Sequence, residues 1–230
     1  MEITAILFLI GFIAVFGFLL YFAIQSNRKE KEAKQQIARS LGFIPFSPDP
    51  MLTERISRLY QRAGRSGKYE LRNGFRKMTP DGEMYLFDLV ETSGEDDSWL
   101  ERQAVAVISP YLKLPPFMFF PRPDEKYALG GLTSKVMEWG LSFVGTPVQF
   151  PDFPEFNKRY SVASIDPTGV EAYFNDEIAR YFAGTQMYTL HAGDDTFTFS
   201  ELDPSSRTIT PETISRRVNR ALDIARILSK

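Results

Sequence analysis

A chain of 230 residues suffices for one well-buried domain, so neither disulfides nor a metal is needed to complete a thin core. Lys+Arg 27 against Asp+Glu 29 leaves a formal charge of -2, which excludes both the basic field of a nucleic-acid binder and the acidity of a solvating tail. A hydrophobic fraction of 43% excludes disordered and multi-span membrane classes, and Cys 0 excludes disulfide frameworks, thiol catalysis and thiolate metal sites.

From Ile3 to Ile24 the chain reads ITAILFLIGFIAVFGFLLYFAI, uncharged, with only Thr4, Gly11 and Gly17 outside the apolar class. As a helix this run is roughly 33 Å long, enough to cross a hydrocarbon core of about 30 Å. It is apolar all round and so reads as a transmembrane anchor rather than a core helix. A cleaved signal peptide fits less well. Acidic Glu2 stands where a basic region belongs, and Ala23 between Phe22 and Ile24 makes no small-x-small cleavage site. Arg28, Lys29, Lys31, Lys34 and Arg39 follow the span, and no Lys or Arg precedes it. The positive-inside rule then places the N-terminus outside the cell membrane and the C-terminal domain in the cytoplasm. These five cations form a membrane-proximal basic cluster, each contributing on the order of 1 kcal/mol beside anionic headgroups.

The expected organisation is an anchor over 1–27, a basic stalk and proline-rich linker over 28–48, and an α+β domain over 49–230. Asp49 is an expected N-cap with Pro50 at the first helical position. Leu52, Ile56, Leu59, Tyr60 and Ala63 share one face of that helix, and Arg55, Arg58 and Arg62 lie on the other. From Lys68 the period changes to two. Asn73-Gly74 predicts a hairpin and Pro80-Asp81-Gly82 a second turn, followed by long strands EMYLFDLVET and WLERQAVAVIS. PFMFFPR, flanked by prolines, predicts an edge strand, and Gly130 to Gly140 is ambiguous between short helix and loop. NKRYSVASI predicts a strand. One helix is expected from Asp166-Pro167 to Gly184, burying Val170, Phe174, Ile178, Tyr181 and Phe182. A hairpin around Gly193-Asp194-Asp195 precedes a last helix opened by Thr210-Pro211-Glu212. That helix should turn Ile214, Val218, Ala221, Leu222, Ala225 and Leu228 inward, and Arg216, Arg217, Arg220 and Arg226 outward. The expected architecture is antiparallel strands with helices packed on one face.

Candidates for chemistry are few. His191 is the only histidine, and its place on a predicted strand reads as structural rather than as a general base. Glu95-Asp96-Asp97 and Asp194-Asp195 lack the D-x-[DN]-x-[DN]-G spacing of a calcium loop and read as turn formers. Gly64-Arg65-Ser66-Gly67-Lys68 departs from the phosphate-loop pattern at Arg62 and Tyr69, and G-x-G-x-x-G, H-E-x-x-H and G-x-S-x-G do not occur. No catalytic residue, cofactor or metal is therefore assigned. The interleaved prolines and aromatics from Leu112 to Tyr160 read as rigid chain whose Phe side chains fill the core, against the rival of an exposed aromatic surface.

LPPFMFFPRP, the F-P-x-F-x-x-x-Y-x-V element at Phe153 to Val162 and the Asp166-led helix give the stretch from Met84 to Leu228 a resemblance. It resembles uncharacterised bacterial single-pass membrane-anchored proteins built around a domain of unknown function. The resemblance implies a bacterial cytoplasmic-membrane location and transfers no catalytic residue. The expected function is a non-catalytic module that binds a protein or the lipid surface, its partners being the bilayer and another protein, not nucleic acid. The alternatives are a membrane-associated hydrolase using carboxylates and a subunit of an envelope or secretion complex.

Overall fold

Side-chain caps decide where the helices begin. In the computed structural model, which describes residues 32, 35–61, 68–92, 99–122, 145–201 and 210–229, Asp49 Oδ1 accepts from the Leu52 amide at 2.7 Å and Asp166 Oδ1 from the Gly169 amide at 3.0 Å. Thr210 and Thr213 cap reciprocally: each hydroxyl accepts the other's amide, at 3.2 and 2.9 Å. Proline opens each of these helices, where its missing N–H costs nothing.

The helices are α1 (Pro50–Gln61), α2 (Pro154–Arg159), α3 (Pro167–Tyr173), α4 (Asp176–Gly184) and α5 (Pro211–Leu228). The strands are β1 (Ile44–Pro45), β2 (Lys68–Thr79), β3 (Gly82–Thr92), β4 (Trp99–Ile108), β5 (Leu114–Pro121), β6 (Thr146–Val148), β7 (Tyr160–Ser164), β8 (Tyr188–Asp194) and β9 (Thr196–Glu201). They form one antiparallel sheet in the order β1-β2-β3-β4-β9-β8-β5-β7-β6. The α+β class is as expected, and so are the Pro80-Asp81 turn, the long β3 and β4, and the β8–β9 hairpin.

The placement of helices on one face is corrected: both faces are covered. Met84 and Leu86 of β3, with Val105 and Val107 of β4, join the core of residues from α2 to α5. The intervening Tyr85, Phe87, Leu89, Ala104 and Ala106 pack with Leu52, Ile56, Leu59 and Tyr60 of α1 on the opposite side. Strand side chains alternate between faces, so two covered faces require the near-continuous apolar run that β3 carries. Ala38 and Phe43, 0% and 1% exposed, also reach the larger core, next to the short edge strand β1.

Three further expectations change. Asn73-Gly74 makes a bulge within β2, not a hairpin: the β2–β3 register shifts between Arg72 and Phe75, and Asn73 adopts φ 50°. A Cβ at Gly74 would lie 2.5 Å from the Phe46 ring, so glycine is needed for that approach. Strand β5 is interior, between β8 and β7. Its prolines are tolerated because Pro115 and Pro116 fall within the irregularity between Leu114 and Phe117, where regular pairing with β8 is interrupted. The helix after Asp166 is two helices: Phe174 leaves helical geometry and Asn175 caps α4 by accepting from the Ile178 amide at 3.0 Å. Val170, Phe174, Ile178 and Phe182 stay buried across the break. The segment NKRYSVASI is likewise divided between α2 and β7.

Gly82 has φ +145°, and a Cβ there would meet the Ile108 carbonyl oxygen at 2.1 Å. Gly82→Ala is expected to cost about 2 kcal/mol through forced backbone displacement, read as a lowered urea midpoint.

Among the described residues no helix is long and apolar enough to cross a membrane. The apolar span from Ile3 to Ile24, the glycine-bearing stretch from Gly130 to Gly140 and the Glu95-Asp96-Asp97 cluster lie outside the described residues.

Candidate functional site

Antiparallel pairing gathers three loops at one end of the sheet. The register Glu83↔Ile108 and Ile108↔Thr196 aligns the β2–β3 turn, the β4–β5 connection and the β8–β9 turn beside α1. Between them lies a cleft of about 1050 Å³. Six carboxylates line it, Asp49, Glu54, Asp81, Glu83, Asp194 and Asp195, against the guanidinium groups of Arg55 and Arg58. Met51, Met78 and Tyr111, exposed to 81%, 60% and 62%, also line it; they are three of the six large hydrophobic side chains exposed among the described residues. Such clustering is informative, where single exposed apolar residues are not.

The internal ion pairs leave this charge accessible. Arg55 pairs with Asp195, their side chains 41% and 37% exposed, and Arg58 pairs with Glu54 at 2.9 Å. Pairs this exposed contribute at most about 1 kcal/mol, so an incoming cation displaces them at little cost. Glu83 accepts from Arg76 at 2.9 Å and from the Tyr85 hydroxyl. Burial, reinforced by that bond, pushes the Tyr85 phenol up to about 12.

His191 is brought to a different place. It is 4% exposed, below α1, with its ring centroid 4.0 Å from that of Tyr60 and 5.8 Å from that of Phe120. The register sets it in a row with Thr198 and Met118. Tyr60 closes the row: its hydroxyl shares a 2.9 Å hydrogen bond with Thr198, and Arg102 lies 5.1 Å from its ring centroid. A carboxylate hydrolase using the only imidazole would need it beside the acids of the cleft, which His191 does not line. No group of three or more His, Asp or Glu arranged to hold a metal occurs among the described residues.

A second polar cluster lies on the other face. Arg217, expected outward on α5, is buried at 6%, while Leu222, expected inward, is 42% exposed. Arg217 Nε donates to Glu201 Oε2 at 3.2 Å and its Nη1 to Gln103 Oε1. Asn73, from the β2 bulge, donates to Asp88 at 2.8 Å, and Asp88, Gln103 and Arg217 share the wall of a cavity of about 40 Å³. Asp88 and Arg217 of this cluster are buried between sheet and helix, where the Arg217–Glu201 ion pair joins α5 to β9.

Arg39 is exposed on the helical residues 35–40, and Arg28, Lys29, Lys31 and Lys34 lie outside the described residues. Among the described aromatics from Leu112 to Tyr160, Phe117, Phe119, Phe150, Phe156 and Tyr160 fill the core as expected, all 5% exposed or less. Sequence patterning passes over Met51, Met78 and Tyr111. The available signal is an apolar residue outside the buried pattern, as with Met51 beside the Leu52, Ile56 and Leu59 stripe of α1.

The buried phenols are expected to make the fold less stable at alkaline pH. Burial pushes Tyr160 up to about 12 from 10.0 and raises Tyr173 and Tyr188 as well. The unfolded chain releases these protons near pH 10 while the folded chain holds them, so their stabilisation is full below the unfolded value and falls as pH rises through the folded one. Tyr160 alone accounts for on the order of 2 kcal/mol. Urea midpoints are expected to be flat between about pH 7 and 9 and to drop between about pH 10 and 12, with Tyr160→Phe showing a smaller drop. In comparisons with known proteins, no family model, curated protein or solved structure matches this chain.

Proposed function

We propose that this chain is a single-pass protein of the cell membrane, with its N-terminus outside and its α+β domain in the cytoplasm, and that the domain is a protein-interaction module without catalysis. The observation that carries the interaction role is the cleft beside α1, where Met51, Met78 and Tyr111 are exposed together amid charged groups. Isolated domains rarely leave several large apolar side chains exposed around one concavity without a partner to cover them. The uncharged run from Ile3 to Ile24 and the cations that follow it support the anchor. Of the two surfaces the module could meet, protein fits the cleft better than lipid, because its surplus of carboxylates repels anionic headgroups.

Alkaline carbonate extraction and a C-terminal reporter fusion test the placement. The protein is expected to stay in the membrane pellet, with a reporter active only in the cytoplasm. Release by carbonate, or reporter activity only outside the cytoplasm, would overturn it.

A further inference from the structure

We propose that the cleft beside α1 receives a basic amphipathic segment of a partner protein, one in which lysine or arginine side chains alternate with apolar ones. This rests on the interaction role above and adds the chemistry of the partner. The concavity is built from separate parts of the chain: α1 brings Met51 and Glu54, the β2–β3 hairpin Met78 and Asp81, the β4–β5 connection Tyr111, and the β8–β9 turn Asp194. Its lining therefore brings apolar and acidic groups together around one space, which a purely apolar segment or a purely cationic one would match only in part. Methionine suits such a wall because its unbranched thioether repacks around different side chains.

Charge sets the sign of the occupant. Six lining carboxylates against Arg55, Arg58 and the Arg76 that pairs with Glu83 leave a surplus of three negative charges. An acidic peptide or an anionic headgroup would be repelled by that surplus, whereas cations of the incoming segment are drawn to it and register its apolar side chains on Met51, Met78 and Tyr111. Glu54, whose side chain is 67% exposed in its surface pair with Arg58, and the exposed Asp81 are accessible to them.

The test uses the full chain in neutral phosphatidylcholine nanodiscs, with a fluorescent synthetic lysine/leucine amphipathic peptide as the probe and empty nanodiscs as the blank. Saturable binding is expected, weakened about tenfold by Glu54→Lys/Asp81→Lys and by Met51→Ser/Tyr111→Ser, with the glutamate/leucine counterpart not binding. Asp152→Lys/Glu171→Lys, an equal charge change at exposed positions away from the cleft, is expected to leave affinity unchanged. Equal weakening by both charge reversals, binding of the acidic peptide, or no saturable binding would overturn the inference. So would a dimer that Glu54→Lys/Asp81→Lys dissolves, which would make a second copy of this chain the occupant. None of these results bears on carbonate extraction or the reporter, so failure of the anchor and failure of the cleft's ligand chemistry are separately visible.

Discussion

Replacing Arg217 with alanine is expected to destabilise the domain by about 3 kcal/mol. Arg217 is 6% exposed, and the carboxylate it serves, Glu201, has a side chain 1% exposed. Removing the guanidinium leaves that buried charge with Arg216, at 3.2 Å and itself 44% exposed, and leaves Gln103 without its donor. It also enlarges the small cavity that Arg217 lines. Most of the loss is the cost of a buried charge left with one half-exposed partner rather than the worth of the pair. Arg217→Met/Glu201→Leu, which removes both charges at similar volume, is therefore expected to recover to within about 1 kcal/mol of the native chain. Urea unfolding of the single and double variants checks this. A double variant as unstable as Arg217→Ala would refute the explanation.

Phe119→Ala is expected to cost about 3–5 kcal/mol. The ring is 0% exposed and sits at the centre of the aromatic core. It meets Phe182 edge-on at 5.0 Å and 89°, and Phe156 at 5.3 Å and 70°, while Phe117 stacks on it at 4.8 Å. These partners come from α4, α2 and β5 itself, so the cavity borders separate elements and cannot close by moving one of them. Phe119→Leu keeps most of the volume and loses the edge-to-face geometry, for an expected cost of about 1.5 kcal/mol. Calorimetric melting separates the two variants. Equal losses would show that ring geometry rather than cavity volume dominates.

Features set by neighbouring residues are the ones legible in the sequence. Asp49, Asp166 and Thr210 cap their helices because each needs only an amide three residues on. The Asn73-Gly74 pair shows the limit of such reading: left-handed backbone serves a bulge as well as a hairpin, and the unbroken length of β3 alongside is what decides. The prolines of β5 likewise mark interrupted pairing without saying whether it lies at an edge or at an interior irregularity.

Arg217 falls on the heptad face of Ile214, Ala221, Ile224 and Leu228, so helical spacing places it inward, and only its charge argues outward. Its buried acceptor, Glu201, belongs to another element and is not visible in α5 itself. The cleft is less legible still. The hairpin at Asp194-Asp195 and the arginines of α1 can be read locally, but their meeting with Asp81, Met78 and Tyr111 follows from the order of strands in the sheet.

The most direct test of the interaction role is site-specific photo-crosslinking of the full-length protein in its own membranes, with the photoreactive residue at Met51, Tyr111, Ile165 or Leu222. All four positions are exposed apolar side chains, at 81%, 62%, 57% and 42%, and only the first two line the cleft. A cleft that docks a partner predicts the same crosslinked polypeptide from Met51 and Tyr111 and none from Ile165 or Leu222. Adducts only from Ile165 or Leu222, or from no position, would contradict it.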